Sequence, residues 1–166
     1  VKTSADMKAL LKGINLEEVK INFFKSEDYL ETLKLFIEEV KSQSIDREKV
    51  KGSIDFDAYA YALANGKFYE DLSKSYDRLV EIMNLVKENI PAFDVLTING
   101  RAFNNAGASI VQELAYTLAA ANDYLYNLTQ KGIPAHSVGY RTVFAFATGS
   151  NYFMEIAKLR AARLLW

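Results

Sequence analysis

The residues able to do chemistry follow short apolar runs. Asn99-Gly100-Arg101 closes the run from Phe93 to Ile98, and Thr148-Gly149-Ser150 closes the run from Val143 to Ala147. Asp55-Phe56-Asp57 closes a weaker run that opens at Val50, and Phe24-Lys25 closes one that opens at Val19. An arginine just past a strand and just before a helix is placed to hold an anion, because the free N–H groups and dipole of the helix start favour negative charge there. Arg101 has that place, and with Asn99 it points to contact with a carboxylate. Asn104, Asn105 and Asn151 add polar groups near the same ends. The plainer reading of this set is strand-end loops and helix caps.

Asp55 and Asp57 would face one side of a strand by its period of two, as a metal or acid–base pair requires. An Asp-x-Asp at a strand end is more often a turn or a helix cap. His136 is the only histidine of the chain. It stands before an apolar run rather than after one and has no partner nearby in sequence, so it reads as an exposed loop residue.

The elements that must carry these groups can be read from periodicity. Residues 4–12 form a short amphipathic helix with Ser4 as its cap and Gly13 as its stop. Val19 to Phe24 alternates as a strand, and Ser26, with Glu27 and Asp28 in the first turn, opens a helix whose stripe is Leu30, Leu33, Phe36, Ile37 and Val40. Val50 to Phe56 is a second, weaker strand, followed by a helical piece from Ala58 to Ala64. Leu72, Tyr76, Leu79, Met83, Val86 and Ile90 then step by four and three through a helix read as Phe68 to Ile90, which Pro91 ends. Phe93 to Asn99 is the third strand. Asn104 or Asn105 opens a helix to Lys131, with Ile110, Val111, Leu114, Leu118, Leu125 and Leu128 as its buried side. Arg141 to Ala147 is the fourth strand, and Ser150 or Asn151 caps the last helix.

This pattern is α/β, with four βα units. Alternation of strand and helix implies parallel strands with crossover helices. A closed (β/α)8 barrel of the TIM type has twice as many units, so residues 1–166 read as a partial (β/α)8 barrel domain of a longer chain. Its open sheet edges call for a cover, and self-association through them is expected. A flavodoxin-like open sheet is the alternative, without a Gly-x-Gly-x-x-Gly fingerprint to make it a dinucleotide site. Ligands in either fold sit at the carboxyl ends of the strands.

Composition narrows the classes further. The chain is 50% hydrophobic and 25% charged with a net charge of −1, which suits a globular domain and gives no basic footprint for nucleic acid. Without cysteine there is no disulfide framework and no Cys-based metal site. No apolar run reaches the roughly 18 residues of a membrane span, so no membrane partner and a cytoplasmic location are expected. The chain starts at Val1 and ends at Trp166 inside a helical pattern, which reads as two cut ends.

Gly100, Ala106-Gly107-Ala108, Glu113 to Leu118 and the run from Phe153 to Trp166 resemble the substrate-binding barrel of the methylmalonyl-CoA mutase family. The resemblance implies a barrel whose axis is threaded by acyl-CoA, in an enzyme that interconverts methylmalonyl-CoA and succinyl-CoA by adenosylcobalamin radical chemistry. It makes the anion at Arg101 an acyl-CoA group, and it adds Arg141, which falls where the family has an arginine opening the fourth strand, as a third substrate-binding candidate. Catalytic members carry Gly-Tyr-His at the third-strand end, where this chain has Gly100-Arg101-Ala102. Alanine has no donor and arginine stays protonated, so neither can replace that Tyr-His pair. The cobalamin motif of the family is Asp-x-His-x-x-Gly; His136 and Gly139 keep its spacing, but Pro134 stands at the Asp position. The resemblance therefore implies a small, non-catalytic subunit with no catalytic residue or cofactor of its own, forming a heterodimer with a large subunit that carries adenosylcobalamin. An active relative with altered substrate choice and a plain interaction domain are the two other readings.

Overall fold

The computed structural model describes residues 1–24, 28–43, 45–69 and 71–166. In chain order the elements are α1 (Ser4–Leu11), β1 (Ile21–Phe23), α2 (Tyr29–Ser42), β2 (Gly52–Ile54), α3 (Ala58–Asn65), α4 (Leu72–Asn89), β3 (Phe93–Asp94), β4 (Leu96–Asn99), α5 (Gly100–Asn105), α6 (Ile110–Gln130), α7 (Ala135–Tyr140), β5 (Thr142–Ala145) and α8 (Tyr152–Leu165). Helices and parallel sheet mix as an α/β chain. The strands group as β1-β2-β3 and β4-β5, and the chain divides into two compact units, Val1–Phe56 with Asp77–Leu96 and Asp57–Tyr76 with Thr97–Trp166.

The first unit is built on the parallel sheet β1-β2-β3, with Ile21 beside Gly52, Phe23 beside Ile54, and Gly52 beside Phe93. The central strand needs a glycine. A methyl group at Gly52 would collide with the Ile21 carbonyl and the Phe93 ring. Phe36 of α2 closes the face, its ring 5.3 Å from Phe23 and 5.6 Å from Phe93 by centroid. Leu33 and Val40 from α2 and Leu79 and Val86 from α4 are fully buried, as their helical spacing predicts, and Ile82, outside the expected stripe, is buried with them.

These strands are shorter than the alternation suggests. Val19 closes a turn by donating its N–H to the Asn15 carbonyl, which takes it out of β1. The third expected strand divides at Val95, because β3 pairs with β2 while β4 pairs with β5. At α1 the cap is Thr3, one residue before Ser4, in a capping box with Asp6. Asp28 caps α2 through the N–H groups of Leu30 and Glu31; Lys25, Ser26 and Glu27 lie outside the described residues.

The second unit holds β5 and most of β4, with α3, α5, α6, α7 and α8. The single helix expected from Asn104 or Asn105 to Lys131 is two. Gly107, at φ 99°, follows the end of α5, and Ser109 restarts the helix in a capping box with Gln112. The buried face of α6 also differs from expectation. It is Glu113, Thr117, Ala120, Ala121, Tyr124 and Leu128, while Val111 is exposed. The polar members of that face are hydrogen-bonded or ion-paired inside the unit, which is what lets them displace the leucines.

Candidate anion-binding site at the end of a strand

Leu96, Thr97 and Ile98 are buried, so β4 delivers Asn99, Gly100 and Arg101 from a fixed strand to the start of α5. Gly100 is the closest approach. A Cβ built there would lie 2.7 Å from Thr117 Oγ1 on α6 and 3.1 Å from the Ala145 carbonyl oxygen at the end of β5. The ends of β4 and β5 therefore sit side by side. The Asn99 N–H donates to Asp57 Oδ2 at 2.8 Å, and Arg101 Nε donates to Asn99 Oδ1 at 3.0 Å. Arg101 is exposed, and its terminal guanidinium nitrogens make no hydrogen bond among the described residues. Such a group can take a carboxylate or phosphate in a bidentate pair.

Asp57 is not a metal ligand beside Asp55. β2 stops at Ile54, and Asp57 caps α3, its Oδ1 accepting the N–H groups of Tyr59 and Ala60 at 3.0 and 3.2 Å. The Tyr124 hydroxyl donates to the same oxygen at 3.2 Å while accepting the Ala58 N–H at 2.7 Å. Burial pushes the Asp57 carboxyl above the usual range, against the pull of the hydrogen bonds from Asn99, Ala60, Tyr124 and Tyr59.

The segment after β5 is held from inside. Lys158 of α8 is fully buried and donates to Glu113 Oε2 at 2.9 Å and to the Ala147 carbonyl at 2.6 Å, with Glu155 Oε2 at 2.7 Å. Glu113 Oε1 accepts the Ala147 N–H at 2.7 Å, and Glu155 Oε1 accepts the Gly149 N–H at 3.1 Å. Burial pulls the Lys158 ammonium down, but Glu155 and Glu113 outweigh it and hold it above its ordinary value. The ammonium of Lys158 and the Gly149 N–H hold Glu155 below the usual carboxylate range.

A second, half-buried network joins α3, α4 and α6. Asp123 Oδ2 accepts the hydroxyls of Tyr59, at 2.5 Å, and of Tyr76. Burial first, and the Asp123 carboxylate second, push the Tyr59 hydroxyl up to about 12 and raise Tyr76 as well. Tyr124 is raised by burial and by the charge of Asp57.

The structure brings two of the three substrate-binding candidates together, Asn99 and Arg101. Arg141 is the C-cap of α7, one residue before β5 (Thr142–Ala145, shorter at both ends than the expected Arg141 to Ala147), at the opposite end of that strand from Ala145. It is buried, its guanidinium lies 5.9 Å from the centre of the Tyr140 ring, and it makes no ion pair among the described residues. His136 falls on α7 rather than in a loop, and it is exposed. With Pro134 in place of an aspartate, no carboxylate two residues away can orient it as a cobalt ligand, so the residues here do not fit that group. Among the described residues no three His, Cys, Asp or Glu side chains gather as a metal site. Sequence reading passed over Glu113, Lys158, Asp123 and their tyrosines. The Glu155/Lys158 spacing of three was a legible signal; the partners on other elements were not.

Fold and site together define an α/β chain with a cationic group presented at a strand end. The family model described as methylmalonyl-CoA mutase matches residues 1–166. The chain is similar to a methylmalonyl-CoA mutase of Rhizobium meliloti, at 34% identity over 161 residues, 97% of this chain and 23% of that protein. It is 38% identical over 162 residues to the methylmalonyl-CoA mutase small subunit of Porphyromonas gingivalis, covering 95% of this chain and 25% of the subunit. Against the large subunit of the same organism the identity is 33% over 161 residues, covering 97% and 22%. The chain belongs to the methylmalonyl-CoA mutase family. It spans about a quarter of the length of these relatives.

Proposed function

We propose that this chain is part of the acyl-CoA-binding (β/α)8 barrel of a methylmalonyl-CoA mutase small subunit, a non-catalytic partner of a large subunit that carries adenosylcobalamin. The observation that carries the reading is the strand end itself. Arg101 and Ala102 stand where the family resemblance puts a Tyr-His pair, and Arg101 Nε is spent on Asn99. Neither residue can give or take a proton near neutral pH. The higher identity to the small subunit than to the large one in Porphyromonas gingivalis favours the same assignment.

Binding without chemistry is the role left to the strand end. Asn99 and Arg101 contact the anionic part of an acyl-CoA, and Arg141 contacts it further along the strand axis. The four βα units would form half of the barrel, with heterodimer formation or self-association covering the exposed edges. A cytoplasmic location belongs to the same reading; among the described residues no helix is long and apolar enough to cross a membrane.

Isomerase turnover by the full-length protein with adenosylcobalamin, alone and mixed with a large subunit, tests the reading. Activity in the mixture and none alone is expected. Turnover by the protein alone would overturn the non-catalytic role and favour an active relative with altered substrate choice.

A further inference from the structure

We propose that Asp57 is a positioning residue for ligand binding at the end of β4, acting through Asn99 on Arg101. This rests on the reading that Asn99 and Arg101 contact the acyl-CoA anion. Asp57 stands at a junction. One carboxylate oxygen caps α3 and takes the Tyr124 hydroxyl, and the other takes the Asn99 N–H at 2.8 Å. The Asn99 side chain in turn takes Arg101 Nε at 3.0 Å. Asn99 itself makes no side-chain cap bond to α5, so the strand end is held from Asp57 rather than by its own helix. The guanidinium is exposed, and among the described residues it is hydrogen-bonded only through Nε. Its direction therefore depends on where Asn99 is held, which β4 and the second oxygen of Asp57 fix together.

The two oxygens allow the capping and positioning roles to be separated. Serine caps a helix well, but its single short hydroxyl cannot reach both the α3 N–H groups and Asn99. Asp57→Ser therefore keeps the cap and releases Asn99. Asp57→Asn also caps through its carbonyl oxygen and turns an NH2 donor toward the Asn99 N–H, two donors face to face.

The test is binding of methylmalonyl-CoA to the full-length protein without cobalamin, by calorimetry. Arg101→Ala is expected to weaken binding about tenfold, the loss of one charged contact. Asp57→Ser is expected to weaken it several-fold in the native background and not further in the Arg101→Ala background, since coupled residues are non-additive. Asp57→Asn should show the same pattern if the serine variant fails to fold. Equal losses in both backgrounds would overturn the proposal, because they mark a general effect on the fold. A clear loss with Arg101→Ala and none with either Asp57 variant would overturn it alone. No loss with Arg101→Ala would overturn the reading of the site, and the proposal with it.

Discussion

Lys158 Nζ lies 2.9 Å from Glu113 Oε2, and both side chains are wholly inaccessible to solvent. The pair joins α8 to α6, and the Ala147 backbone is bonded to both members. Removing Lys158 leaves a buried carboxylate without its counter-charge. Lys158→Met should destabilise the protein by about 3–5 kcal/mol, and the double variant with Glu113→Leu should recover much of that. Denaturant melts of the two variants check it; a loss under about 1 kcal/mol for Lys158→Met would mean that the pair is not held in solution as described.

Glu155 gives the acid limb. Its folded carboxyl is held below the ordinary 4.5, so its stabilising contribution is present above that value and is lost as pH falls through the lower folded one. The melting temperature of Glu155→Gln should fall below that of the native protein near neutrality, and the gap should close in acid. A gap that stays constant with pH would show that Glu155 acts by packing rather than by charge.

Tyr59, Tyr76 and Tyr124 give the alkaline limb. Their folded hydroxyls are raised, Tyr59 from 10.0 to about 12. The stabilisation they contribute is therefore complete below about pH 10 and lost as pH rises through the folded values. Ultraviolet titration of tyrosinate should show a late phase coincident with unfolding. Asp123→Asn should bring Tyr59 and Tyr76 down, because it removes the negative charge next to both hydroxyls.

Gly100 is set by space rather than by backbone angle. A methyl group there meets Thr117 Oγ1 at 2.7 Å. Gly100→Ala should cost about 1–3 kcal/mol, as overpacking does. Thr117→Ala in the same chain should return part of it, since the hydroxyl is the nearest obstacle. Thermal melts of the single and double variants decide between this and a cost from elsewhere.

Much of the architecture follows from local pattern. The 3.6-residue stripe of Leu33, Phe36, Ile37 and Val40 placed α2, and the fours and threes through Leu79, Met83 and Val86 placed α4, because those residues meet a sheet wherever the chain goes next. Asp57 as a cap and Gly66 as a stop were also legible, since both act on their own neighbours in sequence. The break between α5 and α6 was legible in Gly107 and in Ser109 with Gln112, but it was hidden under a continuous apolar pattern.

What tertiary structure alone decided is pairing between distant elements. Sequence gave no reason for Val95 to divide one apolar run between two sheets, because the division depends on which strand each half pairs with. It placed the leucines of α6 inward, and Leu128 is buried, yet Leu114, Leu118 and Leu125 are half-buried while Glu113 and Thr117 are fully buried. Glu113 finds Lys158 45 positions later, and Thr117 lies against Gly100. Local sequence determined that Arg101 would follow a strand end and that Ala102 could not do a histidine's work. Only the fold decided that Asp57, 42 positions before Asn99, would hold that strand end. A hydrogen bond across such a gap leaves no periodic signal, since its partners are fixed by packing and not by spacing.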